Sequence, residues 1–245
     1  MNYNEATKED KIICMMEELN KFIDKIKKGN LKLNIIEQNN ELYEYYFKQI
    51  NSIQDYYKYD EIFKLIYNSK YLDLYIETLK NIKLEEMYYS NVHGLSHVLR
   101  TSLFGLLIST IENLNEHEFK LLLTSIIYHD IGRKNDLDDV THGYNSAKKI
   151  KFLKEEIDEN DLNIIEKIVI CHCLEDDEYE DIYNSKNIND KEIIKKLLFI
   201  IKDADALDRV RETPYCDVKY LRYDVSKKLL PFACILFNSY ISIKE

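Results

Sequence analysis

The sequence predicts an all-α protein, and three observations carry that expectation. Only two prolines and five glycines occur in 245 residues, so helix breakers are scarce. Apolar residues recur at three- and four-residue spacing, as in Ile12 to Ile26 and Tyr71 to Met87. No segment shows the sustained alternation of a half-buried strand.

Taken in order, residues 1–88 read as helix after helix, rich in Lys, Glu, Asn, Ile and Tyr, with no ligand cluster. This stretch is expected to be a helical extension or cap, or an element for homo-oligomerisation. The many tyrosines track a general Asn, Lys and Ile bias and need no stacking role. Ser96 to Ile111 reads as a helix with His97, Arg100, Phe104, Ile108 and Ile111 along one side. Residues 117–131 are apolar nearly all round, the pattern of a central buried helix. After the acidic loop Asp136-Leu137-Asp138-Asp139, a further helix is expected from about His142 to Lys154. Leu162 to Cys173 and Ile193 to Arg211 supply two more. A C-terminal helical tail closes the chain, and its apolar stretch Leu229 to Phe237 is far shorter than the ~20 residues of a bilayer span.

Composition narrows the function. A net charge of −10 opposes a general nucleic-acid or anionic-membrane partner, since both need a basic face. Five cysteines without a CxxC pair indicate neither a disulfide framework nor a zinc ribbon. Met1 to Glu5 carries no apolar signal core, so a cytoplasmic location is expected. Three of the glycines (Gly94, Gly132, Gly143) lie beside a histidine or a His-Asp pair.

The densest chemical signal is His129-Asp130, which ends the apolar run Leu121 to Tyr128. Adjacent ionisable groups rarely end a buried helix, because a buried unpaired charge costs several kcal/mol or more. A divalent cation resolves the conflict, with imidazole nitrogen and carboxylate oxygen as ligands. His97, His142, His172 and Asp205 are the other candidate ligands. Asp205 is chosen over its neighbours by geometry. At ~100° per residue it falls in the stripe of Ile194, Leu197, Leu198 and Ile201, with Asp203 opposite and Asp208 at the edge. Asp208 is therefore expected to back a ligand or face substrate, and Asp203 to orient or solvate the helix surface. His172 follows the apolar face of Ile164, Ile165, Ile168 and Val169. Its neighbours Cys171 and Cys173 are two apart, point to different sides of a helix, and are expected to pack. His142, before a glycine at a helix start, fits a metal or an anion at free N–H groups. His93 fits either the His97 face or a loop at the pocket mouth. His117, between two glutamates, reads as solvated, as do the acidic runs Glu155 to Glu159 and Glu175 to Glu178.

His97, His129-Asp130 and Asp205, with the local contexts His97-Val98-Leu99-Arg100, Tyr128 to Arg133 and Asp203 to Asp208, resemble the H…HD…D signature of the HD-domain superfamily of metal-dependent phosphohydrolases. The resemblance covers about residues 90–212. It implies an HD-domain helical bundle over residues 89–245 and hydrolysis of a nucleotide or other small phosphate ester by a metal-activated water. The four signature positions would bind one metal, with His142 and His172 matching the extra ligands of two-metal members. Asp130 would both ligate and orient the water. Arg133 and Arg209 are candidate phosphate clamps, with Arg100 and Lys134 weaker ones, because guanidinium grips phosphate at two points. Such a ligand set suits Mn, Fe, Co, Ni or Zn better than Mg. Two rival readings accompany it: a di-iron oxygenase on the same fold, and a non-catalytic module that senses a nucleotide. Neither the glycine-spaced motif of the cyclic-dinucleotide branch nor the synthetase region of alarmone enzymes is present.

Overall fold

The structure is a computed structural model, and it describes residues 7–28, 57–176, 178, 188–211 and 216–241. These residues form nine helices joined by turns and short 3-10 segments, with no strand among them. They are α1 (Lys8–Lys27), α2 (Tyr59–Tyr67), α3 (Leu72–Lys80), α4 (Leu95–Ile111), α5 (Glu116–Tyr128), α6 (His142–Lys149), α7 (Glu159–Cys171), α8 (Ile188–Asp208) and α9 (Asp224–Ile241). The helices expected in residues 1–6 and 29–56 lie outside the described residues.

Helix starts follow from side chains that bond the first free N–H groups. Thr7 and Asp10 form a reciprocal capping box on α1, and Asn115 and Glu118 do the same on α5. Asp158 accepts from Asn160 N and Asp161 N to start α7. In α1 the buried residues Met15, Leu19, Phe22, Ile23 and Ile26 line one face. Each such side chain removed from water is worth about 1.5–3 kcal/mol. That face packs on α3 and α4 of the same chain, and Ser96 Oγ donates to Glu18 Oε1 at 2.5 Å.

At the centre lies α4, and here the structure departs from the one-sided expectation. Residues Leu95 to Ser109 are all buried, because α1, α2, α5, α8 and α9 surround the helix. Several of its hydroxyls turn inward and find partners. Ser102 Oγ donates to Leu99 O at 2.9 Å and meets Tyr75 OH at the same distance. Gly105 lets Ile126 of α5 lie directly on the helix, since an added Cβ there would run into its Cδ1.

Two faces of α8 are covered as well, one by α4, α5 and α7 and the other by α9 and the segment before it. Ile194, Leu197, Leu198 and Ile201 form the expected buried stripe. Asp203 is not on the surface. It is fully buried and accepts from Arg222 N at 3.0 and 2.9 Å, Tyr223 N at 2.9 Å and Arg222 Nη1 at 3.3 Å. Asp176, expected to be solvated, likewise pairs with Lys202 at 2.6 Å and with Arg222 at 2.6 Å, fixing the loop after α7 to α8. No described helix is long and apolar enough to cross a membrane.

Candidate metal centre

Five helices deliver the polar residues of the core to one place. His97 lies one turn into α4, His129 and His172 cap the C-termini of α5 and α7, His142 opens α6, and Asp205 lies in the last turn of α8. All four histidines and Asp130 are buried, and Asp205 keeps slight exposure.

The atoms fall into two groups that share Asp130. On one side His97 Nε2 stands 3.2 Å from His129 Nε2, 3.3 Å from Asp205 Oδ1 and 3.8 Å from Asp130 Oδ2. His129 Nε2 is 3.5 Å from the same Asp130 oxygen. On the other side His142 Nε2 and His172 Nε2 are 2.9 Å apart, and Asp130 Oδ1 is 3.1 and 3.8 Å from them.

The second nitrogen of each ring explains why these contacts point to a cation. His129 Nδ1 is 2.7 Å from Ile126 O, His172 Nδ1 is 2.6 Å from Val169 O, and His142 Nδ1 bonds Asp139 O. A carbonyl can only accept, so each Nδ1 carries the proton and each Nε2 presents a bare lone pair. Two lone pairs 2.9 Å apart repel unless a positive charge lies between them. Two nitrogen ligands at ~2.1 Å from one ion and at right angles lie about 3 Å apart, so the spacing fits. Asp130 Oδ1 completes the case: it is buried with no hydrogen-bond partner among the described residues. Arg133 Nε lies 2.9 Å from it as an ion pair that lacks hydrogen-bond alignment. The donor set therefore fits a divalent transition ion.

Electrostatics prepare the ligands. Burial drives His129 down to about 3, so its imidazole stays neutral. Burial opposes the Asp130 carboxylate, yet the imidazoles of His129, His142 and His172 hold it well below the usual carboxylate range. Asp205 is held down in the same way by His97. Burial would lower His97, but hydrogen bonds to Asp205 and Asp208 carry it above its ordinary value.

Asp208 is the second carboxylate behind the site. Buried at 1% exposure, it accepts His97 Nδ1 at 2.7 Å, Arg100 Nε at 2.5 Å and Nη2 at 2.9 Å, and Arg211 Nη1 at 2.9 Å. Arg100 and Asp208, expected among the substrate contacts, thus spend these atoms on each other and on His97. Arg133 and Arg209 stay at the edge, with Arg209 Nη2 4.0 Å from Asp205 Oδ2. Helix α4 starts only at Leu95, so His93 lies in the preceding loop. Its ring still meets His97 edge-on at 5.8 Å, and Nδ1 is 3.0 Å from Asp136 Oδ1. His117 is exposed and bonds Asp161 at 2.8 Å, away from the centre.

Residues 94–210 match the family model described as HD domain. The chain carries an HD domain. Neither a curated protein nor a solved structure gives a match to set beside it. The match spans the helices that bring His97, His129, Asp130, His142, His172 and Asp205 together, and buried His/Asp clusters of this kind are consistent with the HD metal site.

Cys173, expected to pack, has its sulfur grouped with the donor atoms of His142 and His172, all within 4.8 Å of one another. Burial pushes the thiol up, and it donates to Val140 O at 3.3 Å. Cys171 does pack: it is fully buried, and burial pushes it up to about 12. Helical spacing predicts both within one helix, but α7 ends at Cys171 and Cys173 leaves it.

Proposed function

We propose that this HD domain hydrolyses a nucleotide or other small phosphate ester, using a water activated by a divalent transition metal. The observation that carries the proposal is the convergence of four imidazole Nε2 atoms on the two oxygens of one buried aspartate, with Asp205 beside His97 and His129. His97, His129, Asp130 Oδ2 and Asp205 would hold one ion, and Asp130 Oδ1, His142 and His172 a second. When bound, such ions supply a water acidic enough to attack at neutral pH and positive charge for the phosphoryl oxygens.

The chain supplies the rest. Carbonyls of Ile126, Val169 and Asp139 fix the imidazole tautomers, so the Nε2 lone pairs are ready without rearrangement. Asp130, held ionised, orients the attacking water through the same carboxylate that ligates. Arg133 anchors its Nη1 on Leu137 O at 3.3 Å and its Nε beside Asp130, which sets the guanidinium at the rim for an anionic oxygen. Arg209, more than half exposed, reaches the same rim from the end of α8. His93, fixed by Asp136, lines the mouth beside His97. Manganese, iron, cobalt, nickel or zinc suits these donors.

The test is phosphate release from a panel of nucleotides with added Mn²⁺, with Asp130→Ala beside the native protein. Release that needs both metal and Asp130 supports the proposal and begins to name the substrate. A folded, metal-loaded native protein that releases none refutes it.

A further inference from the structure

Helices α5 and α7 end in the same construction. His129 caps α5 at φ −62° and ψ −35°, and His172 caps α7 at φ −62° and ψ −29°. Each ring bonds through Nδ1 to the carbonyl three residues back, and the two rings meet edge to face with centroids 4.9 Å apart. In α5 the residue after the histidine is Asp130, whose oxygens serve both halves of the centre. In α7 the residue in that position is Cys173.

The sulfur is within reach of the half that lacks a carboxylate of its own. Asp205 completes the group around His97, whereas His142 and His172 have only Asp130 Oδ1, which is buried and without a hydrogen bond among the described residues. Cys173 Sγ lies within 4.8 Å of donor atoms of both histidines. Gly143 makes room for it. A Cβ at that position would lie 3.0 Å from the sulfur and 2.7 Å from the carbonyl oxygens of Val169 and Ile170. Any side chain there would lever α6 away from the end of α7.

We propose that Cys173 is a sulfur ligand to the ion held by His142, His172 and Asp130 Oδ1. This rests on the metal-centre reading given above. On binding, the sulfur–hydrogen bond to Val140 O is given up, a sulfur–metal bond forms, and one proton leaves to solvent. The two halves then differ in softness. The His97 half offers nitrogen and oxygen only, while the Cys173 half gains a thiolate and favours zinc, iron or cobalt over manganese or magnesium.

The experiment is a cobalt titration followed by absorption, with Cys14→Ser as the background to remove the exposed thiol. A sulfur-to-cobalt charge-transfer band should appear in the near ultraviolet with one of two bound equivalents. In Cys173→Ser that band should vanish while ligand-field absorption from the other equivalent persists. Zinc affinity at the altered position should fall by at least ~10-fold, and manganese affinity should hardly change. Cobalt bound without the band, or a band that survives Cys173→Ser, overturns the cysteine ligand and leaves the metal centre standing. A native protein that binds no cobalt overturns both. Should the serine variant fail to fold, zinc-edge X-ray absorption of the native protein decides alone. A sulfur shell at ~2.3 Å beside nitrogen and oxygen at ~2.0–2.2 Å supports the ligand, and its absence overturns it.

Discussion

Replacing Gly132 by alanine should detach His142 from the centre. Gly132 follows the His129-Asp130-Ile131 turn and lies under the first turns of α6. An added Cβ would sit 2.5 Å from Asn145 C and 2.6 Å from His142 O, and closer still to Ser146 N. These are backbone atoms, so no side-chain rotation relieves the overlap. Ordinary contact begins at 3.4 Å, so α6 must retreat by at least the difference from 2.5 Å, about 0.9 Å. The same shift stretches Gly132 N–H to Ser146 Oγ, now 2.8 Å, and Lys149 Nζ to Ile131 O, now 2.7 Å. Overpacking of this kind costs about 1–3 kcal/mol, which for a chain of this size lowers Tm by about 2–12 °C. Metal ligands tolerate only ~0.2 Å of error, so the half built on His142 and His172 should lose its ion. The half built on His97, His129 and Asp205 should keep its own. Thermal denaturation and metal content of the purified variant measure both effects. Two ions at native affinity with an unchanged Tm would refute the reasoning, because α6 would then not be held against the turn.

Asp203 and Asp205 should separate stability from metal binding. Asp203→Asn should cost about 3 kcal/mol, the low end for a broken buried pair since Arg222 keeps Asp176, and leave metal content intact. Asp205→Asn should do the reverse, and a metal-depleted Asp203 variant that stays folded would contradict the assignment. Asp208→Asn sets Arg100, Arg211 and His97 against a neutral amide. It should cost about 3–5 kcal/mol in denaturant melts and weaken metal binding by about 10–100-fold; unaltered metal affinity would show that His97 needs no anchor. Metal affinity should also fall as pH drops. His97 is raised above 6.5, so its protonated ring competes with the ion. Asp130, Asp205 and His129 are already in their ligating states there. The slope from His97 should approach about tenfold per pH unit below its raised value, with one proton released per ion by calorimetry. A flat profile between about pH 5.5 and 7 would contradict it.

What the sequence disclosed and what it withheld divide along a physical line. The central helices were legible because periodicity is local: Ser96 to Ile111 and residues 117–131 were expected, and Leu95–Ile111 and Glu116–Tyr128 are observed. The pairing of His129 with Asp130 was legible for the same reason, since a charge ending an apolar run is an anomaly within a dozen residues. The stripe it continues pointed to Asp205, which stands 3.3 Å from His97, but burial does not single it out, since Asp203 and Asp208 are more deeply buried. The same wheel failed for Asp203. It assumed that the opposite face meets water, whereas Arg222 and Tyr223 arrive from nineteen and twenty residues further along and cover it. It was incomplete for α4, where one side was expected to carry His97, Arg100, Phe104, Ile108 and Ile111, and five helices bury every residue from Leu95 to Ser109.

Cys173 marks the limit most clearly, because the helix expected to run to it ends two residues earlier. Had α7 continued, Cys171 and Cys173 would point about 200° apart and neither would share the direction of His172. The helix stops at Cys171, His172 becomes the cap, and the chain turns so that position 173 repeats position 130. Helix ends are the least determined feature of a periodic sequence, since the last turn is set by what packs on it. Here Gly143 does the packing, and it lies thirty residues away. The candidate ligands that a helical wheel can place are those inside helices, His97 and Asp205. Where a residue just past a helix end lies, as Cys173 does, is set by the second helix end that closes over it, α6 with Gly143.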